Sequence, residues 1–239
     1  MKAERIAALF SFGCQRAREK KVNHLLKEIA EGKMEGEKAW EVLSFLESFF
    51  YYEILARMTG ERKITPKIVK SYWIGGEILE REIENRDFEK EREIVLKEGK
   101  EFDLEEKGMI LLKLKILEKK KGFLFHNLTT FLFLGKNFLE FPERNRIFDC
   151  RIEIGEVREI DKDKVLVEGD FLGIEKGEFI KKKEKRWIKK GFLSSPRVGK
   201  LVAFHFNLGR IFVNRKEKEI FERFDKKAIQ ILNSGSPKD

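Results

Sequence analysis

The sequence predicts an α+β protein, with an α-helical domain over residues 1–143 and a small OB-like β-barrel finished by a C-terminal helix over residues 144–239. Three observations lead there. Apolar residues recur at helical spacing up to about residue 140, the pattern turns to alternation after Pro142, and helical spacing returns after Val213. With 239 residues and 41% hydrophobic content, each part has enough apolar material for a core.

In chain order, Val22, Leu25, Leu26 and Ile29 follow the i, i+3, i+4, i+7 rule of one helical face, and Gly32 offers a stop. Residues 37–58 carry Trp40, Leu43, Phe45, Leu46, Phe49, Phe50, Ile54 and Leu55, enough for one long helix buried on much of its circumference. Thr65 before Pro66 is an N-cap followed by a first-turn proline, and Gly75 and Gly76 mark a bend in the helix they open. Residues 80–101 are mostly charged and read as a solvated helix or a mobile excursion. Asp103 caps a further helix with Ile110, Leu114 and Leu117 on its apolar side. Residues 122–140 are the most apolar stretch. Phe123, Leu124, Leu128, Phe131, Leu132 and Leu134 suit a central helix, while Thr129 and Thr130 leave a strand open.

Beyond Pro142, Ile147, Ile152, Ile154, Val157 and Ile160 alternate with charged residues, Asp161-Lys162-Asp163 turns the chain, and Val165 and Val167 resume the alternation. Strands are expected again over 178–188 and 200–213, then a helix over 215–232 with Phe221, Phe224, Ala228 and Leu232, and a frayed end from Asn233. About five short strands in roughly 70 residues match a small Greek-key barrel.

Charge says where a partner would sit. The 51 basic and 42 acidic residues nearly balance, which argues against a polybasic nucleic-acid coat. The net +9 is uneven: residues 1–143 hold 27 basic and 26 acidic side chains, residues 144–239 hold 24 and 16. Abundant Lys and Glu with four prolines and four methionines resemble a thermophile surface of ion-pair networks. Residues 1–12 make a poor signal peptide, and no stretch reaches the roughly 18 uncharged apolar residues of a membrane helix. Two distant cysteines are no secreted framework, although one bridge between them remains open; a cytoplasmic protein without a membrane partner is the expectation.

Soft ligands are scarce: Cys14, Cys150, His24, His126 and His205. None stands at CxxC or HxxxH spacing, which removes a zinc finger, and there is no nucleophile elbow, phosphate loop or dinucleotide fingerprint. A non-enzymatic binding or maturation factor is therefore expected. Cys14 reads as a small buried hydrophobe after an apolar helix, and His24 as exposed on a charged face. His126, between Phe125 and Asn127, reads as a hydrogen-bonded core histidine or, alternatively, a ligand.

Cys150 and His205 each stand inside a pattern. The run from Cys150 through Gly155 to Val157, then a hairpin, then Val198-Gly199 with His205 seven residues after the valine, then a Glu- and Lys-rich helix, resembles the HypC/HupF family of hydrogenase maturation chaperones over residues 148–232. In that family a cysteine opens the first strand. The resemblance implies a HypC-like barrel whose thiolate, Cys150, holds an iron carrying cyanide and carbon monoxide in transit to a [NiFe] hydrogenase large subunit or another maturation factor. His205 would ligate or orient beside it. A soft thiolate suits such an iron, and Arg146, Arg151 or Arg197 could lower the thiol pKa from its usual value near 8.5. Departures are Ile154 for a proline, Lys200 for an aspartate, Asn207 for a glycine, and a cysteine that is internal instead of following the initiator methionine. Retention of Cys150 and His205 as plain packing residues is the alternative. Over the whole chain, the run 71–75 (SYWIG), His126-Asn127 before Phe131, and the barrel are similar to a family of uncharacterised two-domain bacterial and archaeal proteins.

A competing expectation rests on residues 181–190, KKKEKRWIKK, with seven basic residues in ten. Lys181, Lys182, Lys183, Lys185, Arg186, Lys189 and Lys190 around Trp187 match the phosphate-neutralising and base-stacking chemistry of single-strand nucleic-acid binding. A solvated hairpin has the same composition.

Overall fold

The computed structural model describes residues 1–98, 102–132 and 149–234. The chain is α+β and divides into two compact units, Met1–Phe125 and His126–Asp239. The expectations for residues 133–140, for Ile147 and Arg146, and for the end from residue 235 lie outside the described residues.

The first unit is helical: α1 (Ala3–Ser11), α2 (Gln15–Glu19), α3 (Asn23–Glu31), α4 (Glu37–Leu43), α5 (Glu47–Met58), α6 (Pro66–Ile74), α7 (Glu77–Asn85), α8 (Phe88–Lys97) and α9 (Leu104–Lys119). The caps read from sequence form: Gly32 ends α3 in the left-handed region, the Thr65 hydroxyl accepts from Ile68 N–H, and Asp103 makes a capping box with Glu106. Its core is aromatic. Trp73 stacks on Phe10 with ring centroids 5.2 Å apart and donates its indole N–H to the Tyr52 hydroxyl at 2.6 Å.

Two expectations need correction. Residues 37–58 form two helices, α4 and α5. The Ser44 hydroxyl donates to the Glu41 carbonyl at 2.7 Å and Leu46 is extended and buried, so the break lets apolar residues on several sides of the segment reach one core. The described residues of the charged stretch, 80–98, are helical, as one of the two alternatives had it, but they are neither a solvated helix throughout nor an excursion. They continue α7 and build α8, with Ile94 and Val95 buried and Glu82 and Glu91 fully buried around Arg86, which lies 3.3 Å from Glu82 and 3.0 Å from Glu91.

Burial pushes the Glu91 carboxyl up to about 7, although Arg86 pulls the other way. The unfolded glutamate titrates near 4.5, so the folded state holds an extra proton between the two values and stability falls as pH rises through that window. Relative to Glu91→Gln, the natural chain is expected to lose about 3 kcal/mol between pH 4.5 and pH 8. Urea unfolding of both proteins at the two pH values measures this, and parallel pH dependence would refute it.

The second unit opens with a short helix, α10 (His126–Phe131), then forms a closed barrel of β1 (Glu153–Ile160), β2 (Lys164–Glu175), β3 (Glu178–Lys189), β4 (Leu201–His205) and β5 (Leu208–Val213) in the order β1-β2-β3-β5-β4. Helix α11 (Arg215–Asn233) follows. All neighbours are antiparallel except the short parallel pairing of β3 with β5 at Lys189 and Leu208. Val157, Val165, Val167, Phe171, Ile188, Val202 and Phe204 fill the interior. Helix α11 starts at an Asn214–Glu217 capping box and buries Phe221, Phe224, Asp225, Ala228 and Leu232.

Gly155 shows how tightly the barrel wall closes. A Cβ there would lie 2.9 Å from the Val167 Cβ and 3.2 Å from the Phe171 ring. Gly155→Ala is expected to cost about 1–3 kcal/mol through overpacking, read as a lower thermal midpoint of the barrel unit; an unchanged midpoint would contradict it.

Candidate metal centre

His126, Cys150 and His205 come together. Their three ligand atoms lie within 4.8 Å of one another, and the whole cluster belongs to the second unit. Each residue arrives from a different segment: His126 starts α10, Cys150 lies in the turn before β1, and His205 ends β4. The resemblance placed the cysteine at the opening of the first strand, but the strand starts only at Glu153, because residues 150–152 are tied to α10 instead of to a neighbouring strand.

The stitching is local and backbone-directed. At the β4–β5 hairpin Phe206 and Asn207 both take positive φ (53° each), the geometry of a tight primed turn, and asparagine tolerates this left-handed position. The Phe206 N–H donates to the Asp149 carbonyl at 2.7 Å and the Asn207 amide to the Asp149 carboxylate at 2.9 Å, which brings His205 beside Cys150. On the other side, His126 Nε2 lies 2.8 Å from the Cys150 carbonyl. A carbonyl oxygen only accepts, so Nε2 carries the proton in this contact. A metal-bound histidine commonly donates its second ring nitrogen to a carbonyl in this way.

His205 is fully buried and His126 nearly so, their rings meeting edge to face with centroids 5.3 Å apart, while Cys150 is half-buried. One thiolate and two imidazoles suit borderline and soft transition ions. A tetrahedral ion with bonds of about 2.0–2.3 Å holds its ligand atoms about 3.5 Å apart, so the cluster has to close by roughly 1 Å around one. The donor set and its spacing fit a single metal ion.

Beneath the cluster runs a buried polar network. The Asn127 amide donates to the Ile152 carbonyl at 3.0 Å and accepts from the Ile152 N–H at 2.8 Å, and it also donates to Asp225 at 2.8 Å. Asp225 pairs with the Arg151 guanidinium and, at 2.7 Å, with Lys181. Glu153 lies 3.2 Å from both cations and accepts from Leu172 N–H at 2.9 Å. Burial pushes the Asp225 carboxyl up, but Arg151, Lys181 and Asn127 outweigh it and hold it below its ordinary value. Arg151 is thus engaged with two carboxylates, Arg197 is exposed, and Arg146 lies outside the described residues.

The other sequence candidates sit elsewhere. Cys14 is the half-buried N-cap residue of α2 in the first unit, neither cysteine is in a disulfide, and His24 is exposed. Lys181–Lys190 is mostly strand β3, and four of its seven cations are matched to carboxylates: Lys181 to Glu153 and Asp225, Lys182 to Glu175, Lys183 to Glu168 and Arg186 to Glu184. Arg186 also covers the Phe171 ring at 4.7 Å, Lys190 donates to the Lys162 carbonyl at 3.0 Å, and Lys185 adds to the field that holds Glu168 ionised behind the hydrogen bond from Arg158. Trp187 is 45% exposed between Lys185 and Lys189.

Sequence reading missed Asp225 and Glu153. The signal for Asp225 was present: it shares the helical face of Phe221, Phe224, Ala228 and Leu232, and a carboxylate on such a face needs a buried partner.

Among the described residues no helix is long and apolar enough to cross a membrane. No curated protein and no solved structure matches the chain. The sequence model of one family, a family of unknown function, matches residues 21–237, which take in nearly all of both units, and the chain therefore belongs to the DUF6390 family.

Proposed function

We propose that this protein is a metal-handling factor in metallocentre assembly, binding one transition-metal ion through Cys150, His205 and His126 and delivering it to a partner protein. The observation that carries the reading is the convergence of one sulfur and two imidazole nitrogens within 4.8 Å in the second unit. Within it, the HypC/HupF resemblance favours iron with cyanide and carbon monoxide as the cargo and a hydrogenase large subunit or maturation factor as the recipient. Three protein donors gathered at one place leave the remaining positions of a six-coordinate iron to its diatomic ligands. The half-buried thiolate is the donor that an incoming partner ligand can reach, whereas both imidazoles are enclosed.

Protein purified without oxygen after co-expression with hydrogenase maturation factors is expected to carry iron and infrared bands of bound carbon monoxide and cyanide, both lost in Cys150→Ala. Absence of iron and of any maturation partner in a pull-down overturns the iron reading. The nucleic-acid alternative would rest on Trp187, Lys185 and Lys189. The pairing of Lys181, Lys182, Lys183 and Arg186 with carboxylates favours the metal reading over it.

A further inference from the structure

We infer that Asn127 is a positioning residue for the metal centre: anchored by Asp225, it clamps the His126 segment to the Cys150 segment so that both ligands face one ion. The inference rests on the metal-binding reading above and assigns no ligand role to Asn127 itself.

The argument is one of hydrogen-bond inventory. A side-chain amide has two N–H donors and one carbonyl acceptor. Here one donor goes to the Ile152 carbonyl, the other to Asp225, and the acceptor receives the Ile152 N–H. The two bonds to Ile152 pair the amide with the backbone as a neighbouring strand would, and they hold the chain two residues after Cys150. Asn127 directly follows His126, whose ring bonds the Cys150 carbonyl. The two ligand-bearing segments are therefore joined by three hydrogen bonds, two of them made by Asn127.

Asp225 determines which way the amide points. An ionised carboxylate accepts only, so it takes the amide's N–H side and leaves the oxygen for Ile152 N–H. Asp225 stays ionised because Arg151 and Lys181 face it and burial alone does not neutralise it. A chain of contacts thus runs from Lys181 on β3, through Asp225 on α11, to the two segments that carry His126 and Cys150.

Supports of this kind outside the ligand shell typically change metal affinity by 10–100-fold. The test is cobalt(II) titration of the full chain, followed by absorption. Cys150 reports through its thiolate-to-cobalt charge-transfer band, and the imidazoles report through the ligand-field bands. Asn127→Ala is expected to bind cobalt 10–100-fold more weakly, to keep the charge-transfer band, and to move its ligand-field bands toward those of His126→Ala. Lys182→Met removes a cation of the same strand whose partner is Glu175, outside the Asn127–Asp225 network, and is expected to keep the natural spectrum. Asn127→Ser, read in the same assay, serves if the alanine variant does not fold. Natural affinity and spectrum in the Asn127 variant, or an equal loss in Lys182→Met, overturns the positioning role. Failure of the natural chain to bind cobalt overturns the metal-binding reading, and the inference with it.

Discussion

Replacing His126 by alanine is expected to weaken cobalt(II) or zinc(II) binding by about 10²–10³-fold, as much as Cys150→Ala or His205→Ala. The magnitude follows from dividing the roughly 10–16 kcal/mol of a four-ligand structural zinc site among its ligands. His126 is the informative variant because the HypC/HupF resemblance implies metal contacts from Cys150 and His205 only, whereas all three ligand atoms lie within 4.8 Å. A His126→Ala protein that binds metal as well as the natural chain would reduce the centre to two ligands and return His126 to the role of a core histidine bonded to the Cys150 carbonyl. Competition with a chromophoric chelator gives all three affinities in one experiment.

The second large effect concerns stability. Asp225→Ala is expected to destabilise the barrel unit by about 3–5 kcal/mol, because it breaks the fully buried pair with Arg151 and leaves Glu153 to serve both Arg151 and the partly buried Lys181. For a unit of this size the thermal midpoint should fall by more than about 10 °C. Combining Asp225→Ala with Arg151→Met should recover much of that loss, since a buried ion pair can often be exchanged for apolar side chains at little cost. A single variant that melts within a degree or two of the natural protein would show that the network contributes little to the fold.

These two cases also mark what the sequence makes legible. The barrel follows from alternation: Val157, Val165 and Val167 point inward because every second residue does, and the Asp161–Asp163 turn between β1 and β2 falls where its composition places it. Cys150 and His205 are recognisable because each stands inside a spaced pattern. Joining His126 to them is beyond local reading. Its contact with Cys150 spans 24 residues and depends on the turn at 150–152, which has no periodic signature. Asn127 and Asp225 are separated by 98 positions, so their pairing is visible only once α11 packs against the barrel unit. The charged stretch 80–98 misleads for a related reason. Composition counts Glu82, Glu91 and Arg86 as surface residues, whereas they pair with one another inside the helical unit.

The separation of the three ligands along the chain has a thermodynamic consequence. Positions 126, 150 and 205 are far apart in an unfolded polypeptide, so the centre exists only when α10, the turn before β1 and the β4–β5 hairpin are all in place. Metal affinity and folding of this unit are therefore linked quantities: at an ion concentration one hundred times the dissociation constant, binding adds about 2.7 kcal/mol to stability. A bound ion would therefore act as a checkpoint on completion of the fold, since a nascent chain that has not yet formed β5 has no hairpin to present His205.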